Sequence, residues 1–178
     1  MSMSKAVLIS IRPKWCELIA SGQKTVEVRK TKPSAILPLK CYIYCTKPSF
    51  PHEDFLVFDA GTNKVKAFYG GGKVIGEFVC HNIFPISFYA SDVSFFDTEP
   101  PMDVPWTCLT DKEIAEYLGN GKTGYGWLIS DLVIYDKPKE LGELRSWNTG
   151  VVFKDGYPMP THEIKRPPQS WCYVEELK

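Results

Sequence analysis

A short polar stretch between Gly22 and Arg29 holds the side chains best suited to chemistry, namely Lys24, Glu27 and Arg29. Arginine offers a planar fork that matches a phosphate or the edge of a nucleobase, and lysine offers a point charge. Glutamate accepts hydrogen bonds from an exocyclic amine or holds a water molecule. Together these types indicate a site for an anion or a base. Alternating charges are also common on solvated strand faces, and the pattern alone favours that plainer interpretation.

The spacing of this stretch predicts a strand. From Thr25 onward polar and apolar residues alternate, so Val26 and Val28 face one way while Glu27 and Arg29 face the other. Lys24 enters from the preceding turn. We therefore expect one carboxylate and two cations to converge on the same side of the strand.

The residues before this strand predict a helix over 13–21, which positions it. Pro13 suits a first helical position because its missing N–H would have no partner there. Trp15, Leu18 and Ile19 follow at helical spacing, and Gly22 is a natural residue to end the helix. The helix and strand would then border a common cleft.

The segment from Ser10 to Arg29 closely resembles the opening of ASCH-domain proteins. Their hallmark, G-x-K-x-x-E-x-R after a short helix, is matched by Gly22, Lys24, Glu27 and Arg29. Later blocks resemble the family in the same order: Gly72–Phe78, Tyr125–Ile129 and Arg166–Val174. The resemblance spans nearly the whole chain and is weakest over 50–72 and 85–109.

This resemblance implies an α+β fold, a PUA-like small β-barrel of five to six strands with two or more short helices packed on it. It also implies a cleft between the first helix and the barrel. The family is thought to bind RNA or modified nucleosides. One group resembles amidohydrolases that remove an acyl group from cytidine, and another has been associated with ribonuclease activity.

The hydrolase likeness carries over only in part. In the small hydrolases a lysine, a threonine and a glutamate act together, and Lys24 matches the lysine. The threonine position falls on Glu27, which is a departure from their pattern. Glu113 or Glu116, in a predicted second helix, are candidates for the glutamate.

Charge is balanced overall but unevenly distributed. The chain of 178 residues has no net formal charge, yet residues 1–50 hold nine Lys or Arg against two acids. Bulk electrostatic binding of duplex nucleic acid is therefore disfavoured, whereas the uneven distribution indicates one localised basic face. The alternative is that the basic and acidic segments neutralise each other across the fold. We expect one domain over 1–178, with insertions at 50–72 and 147–168.

The rest of the chain supplies further strands and one helix. Strands are predicted over 6–11, 41–46, 73–84, 125–136 and 170–177, with 73–84 and 125–136 each forming one long strand. Thr110 and Glu113 form a capping box for a helix that Gly119 ends. Residues 50–72 are expected to form a hairpin or a mobile loop.

Several classes of protein are disfavoured. The six cysteines form no C-x-x-C pair and are interpreted as buried thiols, and the three histidines are isolated, so we expect no metal and no cofactor. No apolar run is long enough to cross a membrane and no signal peptide is evident, so we expect a cytoplasmic protein without membrane contact. The sequence leaves the oligomeric state open.

We therefore predict a protein that binds RNA or a nucleotide. A base would stack on an aromatic ring, with Trp15 and Trp171 as candidates and Trp127 expected in the core. Glu27 and Arg29 would read the base edge. The full predicted set is Arg12, Lys14, Trp15, Lys24, Glu27, Arg29, Ser170 and Trp171, of which Arg12, Lys14 and Lys24 would hold phosphate.

Two alternatives stay open. The first is hydrolysis of an amide or phosphodiester, with Lys24 activating water or the scissile group and Glu27 as general base. The second is a protein-interaction module that uses residues 50–72.

Overall fold

The computed structural model describes residues 4–47, 55–59, 64–68, 71–89, 92–95, 106–119, 121–147, 155–156 and 160–177. Within them lie eleven strands, two α-helices and one short 3-10 helix at Leu141–Glu143. The strands and helices are, in chain order, β1 (Lys5–Ile11), α1 (Pro13–Ala20), β2 (Val26–Arg29), β3 (Leu39–Cys45), β4 (Phe55–Asp59), β5 (Lys64–Phe68), β6 (Lys73–Cys80), β7 (Ile83–Tyr89), β8 (Asp92–Phe95), α2 (Asp111–Leu118), β9 (Thr123–Leu128), β10 (Ser130–Lys139) and β11 (Trp171–Glu175).

A five-stranded sheet forms the centre of the molecule, in the order β10-β6-β3-β1-β11. Strand β1 is apolar on both faces because both are covered. Val7 and Ile9 enter the main core beside Trp127, while Leu8 packs in a second cluster with Leu144. Strands β1 and β3 are parallel, and the chain crosses between them through α1 and β2.

A second sheet of four strands has the order β2-β9-β7-β8 and carries α2. Ile114 and Leu118 of α2 pack against Val26 and Val28 of β2 in a third apolar cluster. The valine face of β2 is thus buried under α2, which leaves its opposite face to Glu27 and Arg29. Strands β4 and β5 pair antiparallel as a hairpin, which is one of the two alternatives expected for residues 50–72.

The two long predicted strands are each two strands, and this corrects the expected barrel. The run over 73–84 breaks at 81–82 and the run over 125–136 breaks at Ile129. At each break the chain leaves one sheet for the other, because β6 and β10 belong to the first sheet and β7 and β9 to the second. A strand that bends and changes partners makes a corner between two sheets. In the described part of the chain there are consequently more than five or six strands, and they do not close into a barrel.

Both predicted helices are present. Helix α1 begins with Pro13 at its first position, and the backbone N–H of Ser21 donates to the carbonyl of Glu17 at its end. Gly22 follows at φ 76°, a conformation that favours glycine. The predicted capping box of α2 is confirmed, since Thr110 accepts from the backbone of Glu113 and Glu113 accepts from the backbone of Thr110.

The cysteines differ in one respect from the expectation of buried thiols. Four of them are buried and Cys172 is half-buried, but Cys108 is exposed and has a φ of 53°. The described residues contain no group of three or more His, Cys, Asp or Glu side chains placed to hold a metal ion. No helix in the described part is long and apolar enough to cross a bilayer.

Candidate nucleotide-binding site

A cavity of about 900 Å³ lies where α1, β2 and α2 approach one another. It is closed on a further side by the segment 167–169 near the C-terminus. Its wall is completed by Ser10 and Ile11 at the end of β1 and by Thr46 directly after β3. Its lining residues with ionisable or aromatic side chains are Arg12, Trp15, Lys24, Glu27, Arg29, Lys30, Glu113, Glu116 and Tyr117.

Lys24, Glu27 and Arg29 form one buried ionic cluster at this cavity. The Glu27 carboxylate lies 3.3 Å from Lys24 Nζ through Oε2 and 2.9 Å from Arg29 Nη2 through Oε1. The three side chains are only 1%, 7% and 8% exposed, respectively. The alternation of β2 places Glu27 and Arg29 on one face, and the turn after α1 delivers Lys24 to the same place.

Backbone carbonyls from distant segments fix the two cations. Lys24 Nζ donates to the carbonyl of Thr107 at 2.6 Å, and Arg29 Nη2 donates to the carbonyl of Ser10 at 2.6 Å. The carbonyl of Trp106 accepts from the backbone N–H groups of Thr25 and Val26, which attaches the segment before α2 to the edge of β2. These bonds connect the cluster to the end of β1 and to the segment before α2.

The cluster holds two cations against one carboxylate. Arg29 Nε is buried and has no hydrogen-bond partner among the described residues. A buried charged donor without an acceptor is unfavourable, so this nitrogen adds to the energetic cost of burying the cluster. Both Glu27 oxygens already face cations, and Glu27 therefore acts first as the counter-ion of Lys24 and Arg29.

With Tyr117 of α2, Trp15 of α1 is one of the two aromatic side chains that line the cavity. Lys14 Nζ lies 4.3 Å and Lys24 Nζ 5.3 Å from the centre of its ring. Lys14 also forms an ion pair with Glu113 of α2 at 3.2 Å. Hydrogen bonding from the Thr110 backbone, together with the Lys14 ammonium, lowers the pKa of Glu113 below its usual value of 4.5.

A second contact joins the cationic side of the cavity to α2. Lys30 Nζ lies 5.3 Å from the centre of the Tyr117 ring. Glu116, one residue earlier on α2, lies 3.9 Å from Lys112 Nζ and is largely exposed. The cavity is thus cationic towards α1 and β2 and acidic towards α2.

Most of the residues predicted for the site line this cavity. Arg12, Trp15, Lys24, Glu27 and Arg29 do so, as do the two alternative carboxylates named above on α2. Lys14 does not belong to the lining but lies at its edge, between Trp15 and α2.

Ser170 and Trp171 are not among the lining residues. The Ser170 carbonyl accepts from the backbone N–H of Ser10, which anchors the C-terminal segment to β1. Trp171 packs against the buried Trp127, with ring centres 5.7 Å apart, and its Nε1 donates to Thr31 Oγ1 at 3.0 Å. Both hold the neighbouring segment 167–169 in place, and only that segment reaches the cavity.

Sequence reasoning missed Lys30, Tyr117 and the Thr107 carbonyl. Helical spacing could have found Tyr117, because it follows Glu113 by four residues and therefore lies on the same face of the helix. Lys30 comes directly after the recognised motif. The Thr107 carbonyl leaves no trace in the sequence, because every residue has such a group.

No family model matches this chain, and no curated protein matches it. Among solved structures, it is similar to the ASCH protein of Zymomonas mobilis, with 18% sequence identity and a TM-score of 0.55 over 94% of this chain and 86% of that one. A point mutant of the same protein aligns over 96% of this chain and 90% of that one, with the same identity and TM-score. At this identity the likeness concerns the fold, which is the one that the sequence blocks around Gly22–Arg29 led us to expect.

Proposed function

We propose that this protein, whose fold is that of the ASCH-domain structures, binds a nucleotide in the cavity between α1, β2 and α2. The nucleotide is either free or one unpaired residue of an RNA strand. The observation that carries the proposal is the buried cluster of Lys24, Glu27 and Arg29 beside the indole of Trp15. It combines charge, hydrogen-bond donors and an aromatic surface in one concave place.

The cluster supplies the polar part of recognition. Its excess positive charge attracts a phosphate or a carbonyl-rich base edge. Arg12 and Lys30 add two more cations where the cavity meets solvent. Phosphate contacts of this kind give affinity, while contacts to the base give selectivity.

The size and charge of the cavity favour one nucleotide over a duplex. A volume of about 900 Å³ lies within the range of about 300–1,000 Å³ that small-molecule sites occupy. The chain as a whole has no net charge, whereas duplex binding relies on many phosphate contacts to a cationic surface. A single base stacked on an indole is the mode that proteins use for unpaired nucleic acid.

Hydrolysis is less well supported than binding. A general base needs a free acceptor within reach of the water or hydroxyl that it deprotonates. Both oxygens of Glu27 are within 3.3 Å of cationic nitrogens. We therefore propose recognition as the function, and product analysis after incubation with acylated cytidines and structured RNA tests for turnover against a Lys24→Ala control.

Titration at low salt, followed by tryptophan fluorescence or calorimetry, tests the proposal. The ligands are nucleoside monophosphates, a short single-stranded RNA and a duplex of the same sequence. Lys30→Gln, at the cavity, is compared with Lys137→Gln, which removes the same charge from an exposed position on β10. We expect saturable binding of the first two ligands, weakened by Lys30→Gln and unchanged by Lys137→Gln.

The decisive variant is Lys24→Ala/Arg29→Ala, with its folding checked by circular dichroism. Affinity equal to that of the wild type would remove the proposed site. If this double variant does not fold, Arg12→Gln takes its place, because that side chain is exposed and lies at the cavity. Equal affinity in both Arg12→Gln and Lys30→Gln would have the same meaning.

A further inference from the structure

The walls of the cavity differ in the sign of their charge. Its lining lysine and arginine side chains belong to α1, β2 and the positions next to them, whereas α2 contributes the carboxylates of Glu113 and Glu116. The aromatic rings of Trp15 and Tyr117 line the same space. A ligand that fills the cavity therefore meets cations at one part of its surface and carboxylates at another.

Two of the three carboxylates that line the cavity, among the described residues, are already engaged. Both oxygens of Glu27 face the cations of Lys24 and Arg29. Glu113 Oε1 lies 3.2 Å from Lys14 Nζ, and Glu113 Oε2 accepts hydrogen bonds from Thr110. Each oxygen of these two side chains thus has a partner within the protein.

Glu116 is the third carboxylate, and it is held only loosely. Its Oε1 lies 3.9 Å from Lys112 Nζ, and the two side chains are 67% and 85% exposed, respectively. Hydrogen bonds from nitrogen to oxygen are about 2.7–3.2 Å long, so this contact is an ion pair without a hydrogen bond. Ion pairs at such exposed positions are weak. The Glu116 oxygens can therefore accept hydrogen bonds from a ligand at little cost.

A carboxylate distinguishes bases that carry an amino group from bases that carry a carbonyl group in its place. An ionised carboxylate only accepts hydrogen bonds. The exocyclic amine of adenine or cytosine donates to it, whereas the carbonyl oxygen of hypoxanthine or uracil is a second acceptor. Two acceptors that face each other repel, so the selection combines an attraction with a repulsion.

Resting on the proposed function, we propose that Glu116 makes the cavity selective for nucleotides whose base carries an exocyclic amine. The phosphate binds the cations beside α1 and β2, and the amine donates to the Glu116 carboxylate on α2. Glu116 is thereby a specificity-determining residue of the site. The cationic cluster supplies affinity for the phosphate, which every nucleotide has, and Glu116 supplies the choice among bases.

Three substitutions of the same kind test this role. In Glu116→Gln the new amide can rotate to present either its donor or its acceptor, so it suits a carbonyl as well as an amine. Glu113→Gln removes the same charge from the same cavity, and glutamine also serves in capping boxes. Glu17→Gln removes it from an exposed position on α1 that does not belong to the lining.

The measurement is the affinity for two pairs of 5′-monophosphates at equal ionic strength, adenosine with inosine and cytidine with uridine. Both members of a pair have the same ribose phosphate, and the amine of one is a carbonyl in the other. We expect the wild type to prefer the amino member about two- to tenfold, as for one hydrogen bond to a charged group. Glu116→Gln should remove most of this preference, chiefly by binding the carbonyl member more tightly. Glu113→Gln and Glu17→Gln should keep the preference of the wild type.

The outcomes distinguish this inference from its premise. An equal gain for all four nucleotides in Glu116→Gln would reveal only the loss of a negative charge and would overturn the inference. Equal affinities within each pair in the wild type, or a lost preference in Glu113→Gln, would overturn it as well, while nucleotide binding would stand. If none of the four nucleotides binds the wild type, the proposed function fails and the inference fails with it. Thermal unfolding of each variant checks that a change in affinity does not come from a change in folding.

Discussion

Among the residues that the structure describes, Glu27 is the one carboxylate within ion-pair distance of both Lys24 and Arg29, so its neutralisation is the most direct perturbation of the cluster. In Glu27→Gln the shape is retained and the charge is lost. Lys24 would keep the Thr107 carbonyl and Arg29 the Ser10 carbonyl, both at 2.6 Å. Neither carbonyl carries a full charge, so two cations would stay buried without a counter-ion.

The expected cost is large because the group is only 7% exposed. Removing one partner of a buried ion pair destabilises a protein by about 3–5 kcal/mol. For a domain of this size each kcal/mol lowers the melting temperature by about 2–4 °C, which gives a fall of roughly 6–20 °C. Thermal and urea unfolding at neutral pH measure this change.

Two comparisons sharpen the assay. Glu116→Gln removes a carboxylate that lines the same cavity but is 67% exposed, and its stability should stay within about 0.5 kcal/mol of the wild type. Inorganic phosphate should raise the melting temperature of Glu27→Gln more than that of the wild type, because an anion that binds only the folded state stabilises it. A loss below about 1 kcal/mol in Glu27→Gln would refute the view that the cations are desolvated.

Three further predictions concern the fold. Gly76→Ala should lower the free energy of unfolding, measured in urea, by about 1–3 kcal/mol, because an added Cβ would lie 2.4 Å from a backbone carbonyl oxygen of β10. The control Gly142→Ala should be nearly neutral, because its added Cβ would have nothing within 4 Å. A thiol reagent should label the exposed Cys108 first in the native protein, and the Cys108→Ser variant should lack this fast phase. Equally fast labelling of a second thiol would contradict the burial of the other cysteines. Thr110→Ala should cost about 1 kcal/mol at neutral pH. The pKa of Glu113 is lowered in the folded state, so the stability that the Glu113 carboxylate contributes is present above pH 4.5 and is lost as pH falls through the lowered pKa. Unfolding measured from pH 7 to 3 should therefore show the difference in unfolding free energy between the wild type and Thr110→Ala becoming smaller.

Local features of the fold could be predicted from the sequence alone. Pro13 and Gly22 indicated both ends of α1, and Thr110 with Glu113 indicated the start of α2. The alternation of β2 put Glu27 and Arg29 on one face. Each of these depends on interactions between residues a few positions apart, which short-range spacing records.

Tertiary structure decided which groups meet. The carbonyl that binds Lys24 belongs to a residue 83 positions away, and backbone carbonyls are the same in every residue. The breaks at 81–82 and at Ile129 depend on which sheet each half-strand joins. Sequence periodicity does not record the choice of sheet, so it predicted one continuous strand across each break. Trp171 was an equally good stacking candidate by composition, yet its ring packs on Trp127 while Trp15 lines the cavity. The sequence therefore determined the chemical types at the site, whereas their burial, their partners and the cavity between them required the long-range packing of two sheets.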